Sequence, residues 1–247
     1  MNVACFTDAV IQAHLDKAVA RHVMTDVSAV IAAKQEGPSI CDIVTRTRVY
    51  AGEVIVVVGE STDGTAELAA GSGATVMSDG GRGKGEAIRR AIPTIKTPIT
   101  VFLDADGSHD PEDIPLLVEP ILTDQADHVS ASRLKGGSSE LHGGFDEFFR
   151  LTGSSFITAC INWRFNCRLS ESQNGFRAIR TDVLRQLKLS EDLTTIEQEM
   201  IIKTLRCGFR MAEVPSHEHP RAHGSSHIRV WRSAPRYGWS LVKYLFF

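Results

Sequence analysis

The chain has 247 residues, is 43% hydrophobic, and carries 27 Lys and Arg against 30 Asp and Glu for a formal net charge of −3. That length suits one large α/β domain, and the near-balance of charge excludes a generic nucleic-acid-binding surface, so no nucleic acid partner is expected. Five cysteines, Cys5, Cys41, Cys160, Cys167 and Cys207, include no C-x-x-C pair, so reduced, packed thiols and a cytoplasmic setting are expected.

Residues 1–26 read as an N-terminal helical extension, with Val10, Ile11, Leu15, Val19 and Val23 at roughly helical spacing. Asp8, His14, Asp16 and Lys17 interrupt any basic-then-apolar signal pattern. From Val27 to Ala33 a β-branched run predicts a buried strand, and residues 40–50 an amphipathic helix. A second strand, Glu53 to Val58, ends in a polar turn running from Gly59 through Glu60 and Asp63 to Thr65. A short third strand, Ala74 to Met77, precedes Gly81-x-Gly83-x-Gly85 and a helix from Glu86. That glycine pattern is neither G-x-G-x-x-G nor a P-loop, but it can set Arg82 and Lys84 against phosphate at a helix N-terminus.

The fourth strand, Ile99 to Leu103, stops at Asp104-Ala105-Asp106, followed by Gly107, Ser108 and a Pro111 placed to open a helix. Two carboxylates this close repel unless a cation neutralises them, and hard oxygen ligands suit Mg²⁺ or Mn²⁺ carrying a diphosphate. The competing reading is a solvated acidic turn in which Asp110 or Asp113 caps the next helix.

A fifth strand, His128 to Ser132, runs into Arg133. Helices are predicted over 145–165, 182–187 and 196–206, and a last strand over 209–214. The loop 216–227 carries His217, His219, His223 and His227, a set that could serve zinc, with His217 or His219 the better candidate to serve the ion of the aspartates. Residues 229–247 read as an aromatic, amphipathic C-terminal helix able to dock on the domain, a partner or a bilayer interface. No run of 18 apolar residues occurs, so nothing is expected to span a membrane. Alternating strands and helices predict right-handed crossovers and a mostly parallel sheet flanked by helices on both faces, with ligands at the carboxyl ends of the strands.

Taken in order, these motifs resemble the family 2 glycosyltransferases of the GT-A fold, and within them the dolichyl-phosphate (polyprenyl-phosphate) mannose or glucose synthases. Val27 to Glu36 is similar to the family's first strand with its nucleotide-contacting glutamate. Ser61-Thr62-Asp63-Gly64-Thr65 resembles the end of its D-D-G-S-T-D-G-T turn, Gly83-Lys84-Gly85 its G-K-G, and Asp104-Ala105-Asp106 its D-x-D. Ser132-Arg133, Asn174-Gly175-Phe176-Arg177-Ala178, Glu213-Val214-Pro215 and Arg221-Ala222-His223-Gly224-Ser225-Ser226-His227 resemble its later motifs. Where the family has two turn aspartates this chain has Val58 and Gly59, followed by Glu60 in place of a glycine. Ala32, Lys34 and His227 are further departures.

The resemblance implies an inverting, metal-dependent GT-A glycosyltransferase domain over 27–228. It would move a hexose from a GDP-mannose or UDP-glucose type donor to a polyprenyl or dolichyl phosphate, with peripheral contact at the cytoplasmic membrane face. Asp104, Asp106 and Ser108 are then the candidate ligands of Mn²⁺ or Mg²⁺. Glu36, Glu60, Asp63, Lys84, Asp104, Arg221 and Ser226 are the nucleotide-sugar candidates. Asp106 and Arg221 carry the electrostatic part of catalysis, and Arg133 and Arg150 hold the acceptor phosphate. A hydroxyl acceptor would instead need a base, for which Glu199 is the candidate. A degenerate GT-A domain acting as a binding or scaffold protein is the reading of another class.

Overall fold

The computed structural model describes residues 4–5, 25–139, 145–221 and 230–247, with 4–5, 145–150 and 230–233 given by backbone only. Its strands are β1 (Ala4–Cys5), β2 (Val27–Ala33), β3 (Glu53–Val58), β4 (Thr75–Ser78), β5 (Ile99–Asp104), β6 (His128–Ser132), β7 (Arg177–Arg180) and β8 (Met211–Pro215). They form a single sheet in the order β1-β8-β6-β7-β5-β2-β3-β4. Every pairing is parallel except those of β7, which runs antiparallel to both β5 and β6. This is the mostly parallel α/β architecture expected. The exceptions lie at β7, for which no strand was expected, and at Ala4–Cys5, which pairs with β8 where a helical extension was anticipated. The rest of that extension, through residue 24, lies outside the described residues.

The strands read cleanly because both of their faces are covered. Alternate residues Ala29, Ile31, Val56, Val101 and Leu103 pack under the helices Gly37–Thr47 and Ile114–Leu122. Val30, Ile55, Val57 and Phe102 pack on the other face under the helices Lys84–Ala91 and Ile196–Arg206. Each Val, Ile, Leu or Phe among these contributes about 1.5–3 kcal/mol on removal from water. A third cluster, with Ile157, Ile161, Leu241, Tyr244 and Leu245, joins the helices Phe145–Phe165 and Val230–Phe246. Among the described residues no helix is long and apolar enough to cross a membrane.

The topology positions the site. From β2 the chain steps outward to β3 and β4, then returns to β5 on the other flank of β2. Strand order therefore reverses between β2 and β5, and a crevice opens outside their carboxyl ends at such a reversal. Asp104 is in register with Ala32 at that point.

Candidate active site

The acidic turn after β5 is built to hold its carboxylates still. Gly107 has φ +81°, a conformation that costs a glycine little and a side-chain-bearing residue more. The backbone N–H and hydroxyl of Ser108 donate to Asp106 Oδ1 at 3.0 and 2.6 Å. Ser39 Oγ donates to the Ala105 carbonyl at 2.7 Å, tying the turn to the helix after β2. His109 Nδ1 accepts the Asp104 N–H at 3.1 Å while its ring stacks on Phe176. The capping role falls instead to Asp110, which accepts from Glu112 N–H at the start of a 3₁₀ turn, Pro111–Asp113. Asp104 and Asp106 are left facing a cavity of about 760 Å³.

Cations face both carboxylates. Arg221 lies 2.9 Å from Asp106 Oδ2, and Lys84 Nζ sits 2.5 Å from Asp104 and 2.6 Å from Glu197. Burial alone would raise the Asp104 carboxyl, but the charge and hydrogen bond of Lys84 prevail and hold it below the usual carboxylate range. The same two carboxylates outweigh burial at Lys84 and push its ammonium up. Glu36 behaves oppositely: burial, reinforced by the Asp106 charge, raises it to about 7. Gly175 makes the convergence possible, since a Cβ there would lie 2.7 Å from Lys84 Nζ and 3.0 Å from Asp104 Oδ2. Next to it the buried Arg177 donates to the carbonyls of Asn174 and Glu197, clamping the Asn174–Arg177 turn to the start of the 196–206 helix.

Of the residues singled out from sequence, Glu36, Lys84, Asp104, Asp106, Ser108, Arg133 and Arg221 all line this cavity. Others do not. Glu199 is fully buried and accepts from the N–H groups of Ser190 and Glu191, from Ser190 Oγ and from Lys203. It holds a loop together, and its place on the cavity wall is taken by Glu197, some 200° away around the helix. Asp63 accepts from Gly37 N–H at 2.7 Å and from Thr65, a turn-bracing role outside the lining. Glu60 packs against Gly81 and is likewise outside it. Arg133 lines the cavity with its guanidinium engaged by Glu171 and Glu218 at 2.7 Å each. Ser226, His223, His227 and the side chain of Arg150 lie outside the described residues. His217 bonds Ser139 and the Gly136 carbonyl, and His219 lies 3.9 Å from Asp110; neither lines the cavity.

Two carboxylates and a serine hydroxyl are an oxygen donor set that fits Mg²⁺ or Mn²⁺, because such ions complete their shell with water and substrate phosphates. No group of three His, Cys, Asp or Glu able to hold a metal occurs among the described residues.

Beyond the charged end the cavity has two arms. One runs over the tips of β2, β3 and β4, past Lys34, Gly59 and Asp79. The other passes between two helices, lined by Phe156 and Ile157 on one side and Tyr237 and Leu241 on the other. The Tyr237 hydroxyl donates to Thr194 Oγ1, and burial, with the Glu197 charge, pushes it up to about 12. Glu197 and Tyr237 carry no signal in the sequence, because each reaches the cavity through contacts distant along the chain, while Asp79 sits in the glycine turn that follows β4.

Comparison with known proteins bears on this geometry. Residues 28–189 match the Glycosyl transferase family 2 model. Among curated relatives, the glycosyltransferase AglJ of Haloferax volcanii is 30% identical over 192 residues, 77% of this chain and 62% of AglJ. The hexosyltransferase Agl6 of low-salt glycan biosynthesis, from the same organism, is 28% identical, and the match spans 45% of its length. A dolichyl-phosphate hexose transferase of that organism is 26% identical over 76% of this chain and 79% of its own. Glucosyl-3-phosphoglycerate synthase from Mycobacterium tuberculosis, crystallised with phosphoglyceric acid, superposes with a TM-score of 0.73 at 23% identity, covering 99% of this chain and 88% of that one. The same synthase with Mn²⁺, UDP and glucosyl-3-phosphoglycerate gives a TM-score of 0.70, also at 23% identity, covering 97% and 84%.

Proposed function

The chain belongs to glycosyl transferase family 2 and is a transferase, and from that premise we propose that it moves a hexose, with inversion, from a nucleoside diphosphate sugar to a polyprenyl phosphate. The observation that carries this reading is the shape of the cavity: a carboxylate-and-cation end at the tip of β5 continues into an apolar arm walled by Phe156, Ile157 and Leu241. A lipid phosphate needs both kinds of surface. In support, a relative is named a dolichyl-phosphate hexose transferase, and exposed aromatics, Phe156, Trp163, Trp239 and Phe246, follow the helices of that arm, as peripheral contact with a bilayer interface requires.

An acceptor phosphate oxygen attacks the anomeric carbon as the bond from that carbon to the donor diphosphate breaks, and the electron pair leaves with the nucleoside diphosphate. A divalent ion held by Asp104, Asp106 and Ser108 would supply Lewis-acid neutralisation of the leaving diphosphate. Arg221 and Lys84 add positive charge from positions already fixed against the same carboxylates. Arg133 is the candidate cation for the acceptor phosphate, exchanging Glu218 for it. No general base is needed, since a phosphate monoester is ionised at neutral pH. Transfer to a hydroxyl acceptor is the second reading, favoured by Glu197, a carboxylate in the cavity that could take the proton.

The test supplies a labelled UDP- or GDP-hexose, Mn²⁺ and a short-chain polyprenyl phosphate and follows label into the organic phase. Lipid-extractable label that disappears with EDTA supports the proposal. Label that reaches only water-soluble glycosides refutes the lipid acceptor.

A further inference from the structure

The polar arm of the cavity is not used by the transfer chemistry above. Lys34, Gly59 and Asp79 directly follow β2, β3 and β4, while Asp104 closes β5. With β5, β2, β3 and β4 adjacent in that order, the tip of β4 lies three strand spacings, roughly 14 Å, from the carboxylates after β5. All four residues line one cavity. A nucleoside diphosphate anchored at Asp104 and Asp106 and laid along the strand tips therefore brings its base to Asp79.

Resting on the donor reading given above, we propose that Asp79 and Lys34 read the nucleobase, selecting one that offers an N–H beside a carbonyl. Asp79 is 4% exposed and held in place: its Oδ1 accepts the Gly81 N–H at 2.6 Å and its Oδ2 the Gly83 N–H at 3.3 Å. Two donors leave about half of a carboxylate's acceptor capacity. Gly59 keeps the space between the two side chains clear, since a Cβ built there would stand 3.5 Å from Asp79 Oδ2 and 3.5 Å from Lys34 Cβ.

A carboxylate only accepts and an ammonium only donates. Together they complement N3–H and a carbonyl of uracil, or N1–H and O6 of guanine. Cytosine N3 and adenine N1 are acceptors, and each would turn a lone pair toward the carboxylate. Such an unpaired or opposed polar contact is what gives a buried site its discrimination.

Calorimetric titration of the full chain with UDP, GDP, CDP, ADP and pyrophosphate, each with Mn²⁺, tests this. The wild type should bind UDP or GDP at least about tenfold more tightly than CDP and ADP. In Asp79→Asn the amide oxygen still accepts from Gly81, so the melting temperature and the pyrophosphate affinity should hold while the preference falls below about threefold. Lys34→Met, at an exposed position, should weaken the same preference and serves if Asp79→Asn fails to fold. Equal wild-type affinity for all four nucleotides, or an undiminished preference in both variants, overturns the base-reading pair and leaves the donor reading standing. Absence of binding by every nucleotide and by pyrophosphate overturns both.

Discussion

Replacing Gly175 by alanine would test whether the meeting of Lys84, Asp104 and Glu197 shapes the site. A Cβ at that position lies 2.7 Å from Lys84 Nζ, 3.0 Å from Asp104 Oδ2 and 3.1 Å from Glu197 Oε1. Gly175 is not among the residues with positive φ, so the backbone tolerates alanine and the contact is the whole perturbation. Lys84 is the most flexible of the three groups, so its ammonium withdraws and gives up one carboxylate. A hydrogen bond to a charged group is worth about 1.5–3 kcal/mol. For a chain of this size each kcal/mol shifts the melting temperature by about 2–4 °C, so a fall of roughly 3–12 °C is expected. Affinity for a nucleoside diphosphate with Mn²⁺ should drop with it, because Asp104 loses its fixed orientation. Gly153→Ala is the control: no heavy atom lies within 4 Å of a Cβ there, so that variant should be neutral or gain about 0.5–1 kcal/mol from helix propensity. A Gly175→Ala protein with wild-type melting temperature and wild-type nucleotide affinity would refute the reasoning.

Glu197 and Glu199 should separate cleanly. Glu199→Ala strands the N–H groups of Ser190 and Glu191 and the Lys203 ammonium and should cost about 3–5 kcal/mol of stability in a denaturant titration. Glu197→Gln should keep the fold. Its transfer rate should fall about 10²- to 10⁴-fold if the acceptor is a hydroxyl and far less if it is a phosphate. Among the described residues Asp106→Ala releases Ser108 and Arg221, so it should remain folded by circular dichroism while losing Mn²⁺-dependent transfer; activity surviving both this change and EDTA excludes the metal role. Glu36 sets a pH dependence. Its carboxyl rises from 4.5 to about 7 on folding, so between those values the folded state binds the proton more tightly and stability falls as pH rises, levelling off above 7. Stability of Glu36→Gln should lack that slope, and parallel wild-type and variant curves between pH 4.5 and 7 would show that Glu36 is not buried as described.

Much of this was legible in the chain itself. The strands β2, β3 and β6 could be bounded to the residue, because a parallel strand covered on both faces must be an unbroken apolar or small-residue run. Asp104 and Asp106 stood out for a related reason: polar residues that end such a run sit at the strand tip, where ligands of these sheets gather, whereas Lys84 stood out through its glycine turn and Glu36 through the family resemblance. Strand β7 was not legible, since Arg177 buries a guanidinium in the sheet against hydrophobic patterning, and the carbonyls of Asn174 and Glu197 together with the charges of Glu197, Asp104 and Glu171 make that tenable. Nor could the sequence choose between Glu197 and Glu199, or show that Asp63 braces a turn and that Glu213 anchors Ser170 and Glu171. Periodicity records what each residue does relative to its own helix or strand. Which partner a charged side chain finds depends on chain crossings far away in sequence, as with Lys84 and Glu197, 113 residues apart, so only the tertiary structure could decide which carboxylates face the substrate and which hold the fold.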